Sequence, residues 1–154
     1  MKQLAELDKM PEDAKLNAQV AVIYFERMQL EKGLPLSQKA IQRDPKNKTG
    51  LIPDLHNQLG LAYATKAEKA TDTKEMATYF EKAIGNFKTV VDKYPKSDVH
   101  ELAQYYLGVT YALTQDYDSA ISVLEKLVNH TRDDIIKRNT EAMLMQIKQL
   151  AETK

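Results

Sequence analysis

One pattern of small, aromatic and apolar residues occurs three times along this 154-residue chain. Each copy has a small residue, an aromatic residue three positions later and, further on, a second small residue with partners four, seven and twelve positions after it. The copies are Ala21, Tyr24, Gly33, Ser37, Ala40, Pro45; Gly60, Tyr63, Ala83, Phe87, Val90, Pro95; and Gly108, Tyr111, Ala120, Leu124, Leu127, Arg132. Such repetition indicates an array of similar units that stack and share a core.

The spacing within each unit is helical. Leu16, Val20 and Ile23 form an apolar stripe at spacings of three and four, which is typical of an amphipathic helix. All five prolines fall at or near predicted breaks between helices. Interior Gly costs about 1 kcal/mol and interior Pro about 3 kcal/mol relative to Ala. We therefore expect the second helix of the first unit to begin late, with Pro35 in its first turn.

The second unit is longer than the others. Its Tyr63 and Ala83 are twenty positions apart, whereas the matching residues of the other units are nine apart. Eleven extra residues make close to three turns at 3.6 residues per turn, so both helices can lengthen in register. A break is expected at residues 71–73, where Asp72 followed by Glu75 resembles a capping box; further breaks are expected at residues 115–118 and 131–134. We predict a protruding helical pair, which is either a second partner surface or a tolerated insertion.

The glycines Gly60, Gly85 and Gly108 lie inside predicted helices, where Gly is unfavourable. A packing reason is therefore expected at each. At Gly60 and Gly108 a bare backbone would let the paired helix approach closely, with Ala83 and Ala120 as the matching flat surfaces.

The repeated pattern resembles the tetratricopeptide repeat family. The resemblance covers about residues 14–134 and lacks the family's usual Trp, which is replaced by Asn17, His56 and Gln104. It implies an all-α fold: a right-handed α-solenoid of three helical hairpins plus a C-terminal capping helix, with the second hairpin elongated. The expected division is a single domain over 1–154, with repeats at about 14–47, 53–97 and 101–134 and the capping helix at 135–152.

The resemblance also implies a partner-binding site in a concave groove lined by the first helix of each hairpin. Matching residue to residue, the lining is Ala18, Val22, Phe25, Asn57, Leu61, Ala64, Tyr105, Val109 and Ala112. Such an apolar lining suits an amphipathic helix or an extended peptide with apolar anchors. It does not fit the subclass that clamps a chaperone's carboxylates, because Ala18, Val22 and Tyr106 stand where Lys, Asn and Arg would be needed. The alternative is that many of these residues form core.

The function that follows is a non-enzymatic scaffold that binds another protein. One alternative is a small chaperone for a secreted or membrane-bound client, similar in architecture to the type III secretion translocator chaperones. Another is a homo-oligomeric assembly unit with contacts through the C-terminal helix, at Met143, Leu144, Met145 and Ile147. The stretch from Phe87 to Asp98, with Tyr106-Leu107-Gly108, also resembles bacterial cell-envelope proteins of this family, although a lipid-attachment Cys is absent.

Composition excludes several other functions. Lys plus Arg equals Asp plus Glu at 22 each, so the basic excess needed to neutralise nucleic-acid phosphates is missing. There is no Cys, and the three histidines lie far apart, so we expect no metal site, no cofactor and no catalytic constellation. No apolar run approaches the roughly 18 residues of a membrane-spanning helix. We expect a cytoplasmic protein if the chain is complete, and a periplasmic or envelope-associated one if it is trimmed.

Overall fold

The computed structural model describes residues 13–153, which form α-helices and connecting turns without a β-strand. The helix expected within residues 1–9 lies outside the described residues. The seven helices are α1 (Asp13–Glu26), α2 (Leu30–Arg43), α3 (Ile52–Lys69), α4 (Thr73–Lys93), α5 (His100–Leu113), α6 (Tyr117–His130) and α7 (Asp134–Glu152).

Consecutive helices pair into three hairpins, α1–α2, α3–α4 and α5–α6, and α7 packs against α6. The first helices of successive hairpins also contact each other, α1 with α3 and α3 with α5, so they form one layer of the stack. This arrangement confirms the predicted all-α solenoid with a C-terminal capping helix. The division of residues 1–154 into a single domain stays a prediction.

Aspartates set the start of three helices. The side chain of Asp72 accepts a hydrogen bond from the Lys74 backbone N–H at the start of α4. Asp116 begins α6 in the same way, and Asp133 accepts from two backbone N–H groups of α7 at 2.9 and 3.1 Å. Each carboxylate satisfies donors that a helix N-terminus leaves unpaired. The predicted breaks at residues 71–73, 115–118 and 131–134 are therefore confirmed.

A buried carboxylate organises the turn between the first two hairpins. Asp44 is 4% exposed and accepts from the Lys48 N–H at 2.6 Å, the Thr49 N–H at 3.0 Å and the Thr49 hydroxyl at 2.6 Å. Burial by itself raises the pKa of Asp44, but the hydrogen bonds from Thr49 and Lys48 outweigh burial, and the pKa is lowered. The charged form of Asp44 is therefore the one that the turn stabilises.

The start of α2 differs from the prediction. The helix begins at Leu30 and contains Gly33 and Pro35, whereas the sequence favoured a late start with Pro35 in the first turn. Gly33 has a tertiary role, because a Cβ built on it would lie 2.5 Å from Cε1 of the Phe25 ring. Pro35 lies on the exposed side, where water can satisfy the carbonyl four residues earlier. Packing of α1 against α2 thus overrides local propensity.

Large side chains occupy the space above the helix glycines. A Cβ on Gly60 would lie 2.6 Å from the Phe87 ring, and one on Gly108 would lie 2.5 Å from Cγ of Leu124. The close approach expected at these glycines is present, but the nearest atoms belong to Phe87 and Leu124 rather than to Ala83 and Ala120. Gly85 differs, since a Cβ there would meet nothing within 4 Å. The expectation of a packing reason at Gly85 is wrong.

The first hairpin packs in the opposite direction. In the second and third hairpins, Phe87 and Leu124 project from the second helix onto a glycine of the first. In the first hairpin, Phe25 projects from the first helix onto Gly33 of the second. Ser37 stands where the other hairpins have Phe87 and Leu124, and the large side chain of the first hairpin is supplied from the other helix.

The second hairpin is elongated, as predicted. Helices α3 and α4 have 18 and 21 residues, whereas the helices of the other hairpins have 14. At 1.5 Å per residue the extra lengths are about 6 and 10 Å. The rings of Tyr63 and Tyr79 stack with centroids 6.2 Å apart, with Lys66 Nζ 5.1 Å from the Tyr79 centroid and Lys82 Nζ 5.5 Å from the Tyr63 centroid. Phe80 is buried, so the aromatic residues of this hairpin stabilise it internally.

Candidate protein-binding groove

Two clefts separate the first helices of the three hairpins, and together we call them the groove. The α1–α3 cleft has a volume of about 470 Å³ and is lined by Leu16, Ala18, Gln19, Val20, Val22, Ile23, Glu26, Leu51 and Asp54. The α3–α5 cleft has a volume of about 160 Å³ and is lined by Leu61, Ala64, Thr65, Glu68, Phe87, Tyr106, Val109, Thr110 and Leu113. Most of these side chains are apolar, and the solenoid holds equivalent positions of successive hairpins side by side.

Five of the nine residues predicted from the sequence line the groove. Ala18 and Val22 lie in the α1–α3 cleft, and Leu61, Ala64 and Val109 lie in the α3–α5 cleft. Val22, Leu61 and Val109 hold the same position in their repeats and are partly exposed. The structure thus brings these equivalent residues onto one face. Their role in binding stays a prediction.

The other four predicted residues have different surroundings. Phe25 is 2% exposed against Gly33, and Asn57 is 1% exposed, with no hydrogen-bond partner for its Oδ1 among the described residues. Tyr105 and Ala112 pack against the buried cluster between α6 and α7. Ala18, although it borders the cleft, is only 1% exposed. For Ala18, Phe25 and Asn57 the core interpretation therefore holds, because so little of each side chain can reach a partner.

Several apolar residues that the sequence did not assign to the groove are its most exposed members. Leu16, Ile23 and Leu113 are 40%, 45% and 47% exposed. Leu16 and Ile23 belong to a stripe that periodicity alone reads as a core face. Helix α1 instead buries its alanine side, at Ala14, Ala18 and Ala21, and leaves the larger residues outside. One feature of the sequence could have indicated this exposure. Apolar residues occur around the whole circumference of α1, so either side of the helix can face inward.

The charged residues of the groove are acidic. Glu26 and Asp54 border the α1–α3 cleft, and Glu68 borders the α3–α5 cleft. Among the lining residues that the structure describes, none is Lys or Arg. Burial raises the pKa of Asp54, the negative charge of Glu26 raises it further, and a hydrogen bond with Gln58 acts in the opposite direction.

A separate notch of about 660 Å³ lies between the α1–α2 turn and the projecting ends of α3 and α4. Its lining mixes charges of both signs, including Glu31, Lys32, Lys66, Lys69 and Glu75. Lys66 Nζ lies 4.0 Å from a Glu31 carboxylate oxygen and also faces the Tyr79 ring. The charges of the notch are thus partly paired within the protein, and the notch does not favour a ligand of one charge over the other.

His56 has a structural hydrogen-bond partner. His56 Nδ1 lies 2.9 Å from Asn86 Oδ1, and the Asn86 Nδ2 donates to the Lys82 carbonyl, which fixes the amide orientation. Burial lowers the pKa of His56, the Asn86 hydrogen bond raises it and the charge of Lys93 lowers it; the net shift is downward. Within residues 13–153 no group of three or more His, Asp or Glu side chains is arranged to hold a metal ion.

Three of the four apolar residues predicted for contacts between copies pack inside the protein on the C-terminal helix. Leu144 and Ile147 are 8% and 1% exposed and join Ala120 and Leu124 in a core cluster, with Met143 packed against it. Met145 is 65% exposed. Of the four residues predicted for contacts between copies, the structure therefore leaves Met145 on the surface, and an oligomer through α7 stays a prediction.

The described helices include none with both the length and the apolar character required to cross a bilayer.

Comparison with known families finds one match, in which residues 102–130 fit the family described as Tetratricopeptide repeat. No curated protein and no solved structure gives a significant match to the chain. The matched segment covers nearly all of the α5–α6 hairpin, and repeats of this kind are generally non-catalytic modules of protein–protein interaction. The solenoid and this matched hairpin together show that the chain resembles the tetratricopeptide repeat family.

Proposed function

We propose that this protein is a non-enzymatic scaffold that binds an amphipathic helix of another protein in the groove. The observation that carries the proposal is the exposure of large aliphatic side chains along the clefts: Leu16, Ile23 and Leu113 are 40–47% exposed, next to the partly exposed Val22, Leu61 and Val109. Clustered apolar surface on a folded protein marks an interaction site more often than isolated exposed residues do.

The residues that line the groove favour a helix as the bound segment of the partner. An extended peptide usually binds by adding a strand to a sheet edge or by docking on aromatic side chains as a polyproline helix. The described residues contain no sheet, and the groove lining is mainly aliphatic. A helix that presents apolar residues at i, i+3, i+4 and i+7 can place them in both clefts.

The test is the binding of a partner by variants of the groove. A partner isolated on the wild-type protein is titrated against Ile23→Glu and Leu113→Glu, which place a charge in the two clefts. The matched control is Ile135→Glu, because Ile135 is 70% exposed on α7 and lines neither cleft. Loss of one buried aliphatic anchor is worth about 1.5–3 kcal/mol, or roughly a tenfold to hundredfold weaker affinity.

All three variants are expected to retain the helical circular dichroism of the wild type, since each replaced side chain is at least 45% exposed. Weaker binding by the two groove variants and unchanged binding by Ile135→Glu would support the groove. Equal binding by all variants would refute it. The chaperone role and the cellular location stay predictions.

A further inference from the structure

The two layers of helices in this neutral chain differ in charge by a few residues. The first helices α1, α3 and α5 carry five acidic and three basic residues. The second helices α2, α4 and α6 carry six acidic and eight basic residues. A chain with 22 charges of each sign therefore presents a relative excess of carboxylates on the layer that forms the groove.

The carboxylates of that layer border the apolar lining directly. Glu26 and Asp54 belong to the same cleft as Leu16 and Ile23, and Glu68 belongs to the same cleft as Leu61 and Leu113. A partner's side chain that reached past its apolar contacts would therefore meet a carboxylate in either cleft.

Glu26 and Asp54 line the same cleft; partial burial raises the pKa of Asp54, and the negative charge of Glu26 raises it further. Asp54 is half-buried and Glu26 is exposed, so solvent screens the interaction between them only in part. A cation placed between the two carboxylates would replace the repulsion between them with attraction. An anion, such as a phosphate or a carboxylate-rich peptide, would add to the repulsion.

We infer that the groove selects amphipathic helices whose apolar face is flanked by Lys or Arg, with these basic residues placed against Glu26, Asp54 and Glu68. The inference rests on the proposed function, because it specifies the chemistry of the partner for the same groove. Electrostatic complementarity of this kind acts mainly on specificity and on the rate of association.

The experiment is a selection from a displayed library of random 20-residue peptides against three forms of the full chain. One form is the wild type. The second is Glu26→Gln/Asp54→Asn, which removes two groove charges with little change of shape. The third, as control, is Glu81→Gln/Asp92→Asn, which removes two exposed charges of α4 that line neither cleft.

The expected result is that peptides enriched on the wild type and on the control have helical apolar spacing and a net positive charge. The best of these, synthesised and titrated by fluorescence anisotropy, should bind the Glu26→Gln/Asp54→Asn form about threefold to tenfold more weakly. The same peptides should bind the control form as tightly as the wild type.

The two proposals fail in different ways. Enrichment of neutral or acidic amphipathic peptides, or an affinity unchanged by Glu26→Gln/Asp54→Asn, would overturn the charge preference and leave the groove as a binding site. Failure to enrich any peptide whose binding is weakened by Leu113→Glu would overturn the groove itself, and the charge preference with it.

Discussion

Replacement of Gly108 by Ala tests the packing reason for the helix glycines. In an unconstrained helix interior, Gly→Ala is stabilising by about 1 kcal/mol. At Gly108, however, the new Cβ would lie 2.5 Å from Cγ of Leu124, far inside the usual 3.5–4.0 Å between carbon atoms. Leu124 is 0% exposed, so its side chain is enclosed by neighbouring residues. Overpacking of this kind costs about 1–3 kcal/mol, so we expect a net loss of up to about 2 kcal/mol.

The same substitution should change sign when Leu124 is shortened. Leu124→Ala alone is expected to cost about 2–5 kcal/mol, because it leaves a cavity. With the leucine side chain gone, Gly108→Ala meets no obstacle and should recover about 1 kcal/mol. The coupling energy of the double-mutant cycle is therefore about 1–3 kcal/mol.

Gly85→Ala is the matched control, since a Cβ at that exposed position of α4 meets nothing within 4 Å. It should be stabilising by about 1 kcal/mol in the wild-type background. The assay is urea denaturation followed by far-UV circular dichroism. If Gly108→Ala were as stabilising as Gly85→Ala, the close approach of Leu124 would not be the reason for the glycine.

Two further predictions concern ionisable groups. Asp44→Asn should lower the free energy of unfolding by about 1–3 kcal/mol at pH 7, since it weakens charge-assisted bonds to Thr49. Because the pKa of Asp44 in the folded protein is lowered, this stabilisation is complete above the ordinary pKa of about 3.9 and is lost as the pH falls through the folded pKa. Urea titrations at pH 7 and pH 3 measure the difference in free energy of unfolding between Asp44→Asn and the wild type. An equal difference at the two pH values would contradict this prediction. For His56, whose folded pKa is also lowered, the unfolded chain takes up a proton near pH 6.5 before the folded one does, so stability should decrease from pH 7.5 to pH 5.5. His56→Gln should show a smaller decrease, and an identical decrease would contradict the assignment.

Local signals in the sequence predict most of the helix boundaries. Asp72, Asp116 and Asp133 each cap a helix at a predicted break. Capping depends on a few adjacent residues, so it can be read without knowledge of the fold. The elongated second hairpin is predictable for a related reason, since an insertion of close to three whole turns preserves the packing faces.

The groove was less predictable than the hairpins. The resemblance to the tetratricopeptide repeat family placed Val22, Leu61 and Val109 at equivalent positions, and the structure shows them partly exposed on one face. It also led to Phe25, which the structure buries against Gly33, and it did not select Ile23. Spacing identifies residues that share a side of a helix, but it does not show which side a neighbouring helix covers.

The sequence by itself determined that helices form here, where most of them begin and end, and that they pair into repeated hairpins, because these properties depend on short-range propensity, capping and periodicity. Only the tertiary structure decided which helix of the first hairpin supplies the large side chain, why α2 tolerates Pro35, and which side of α1 remains open. Those outcomes depend on contacts between helices, which the local sequence of one helix does not specify. Such contacts can outweigh a local preference of a few kcal/mol, as the burial of Phe25 on Gly33 within a proline-containing helix shows.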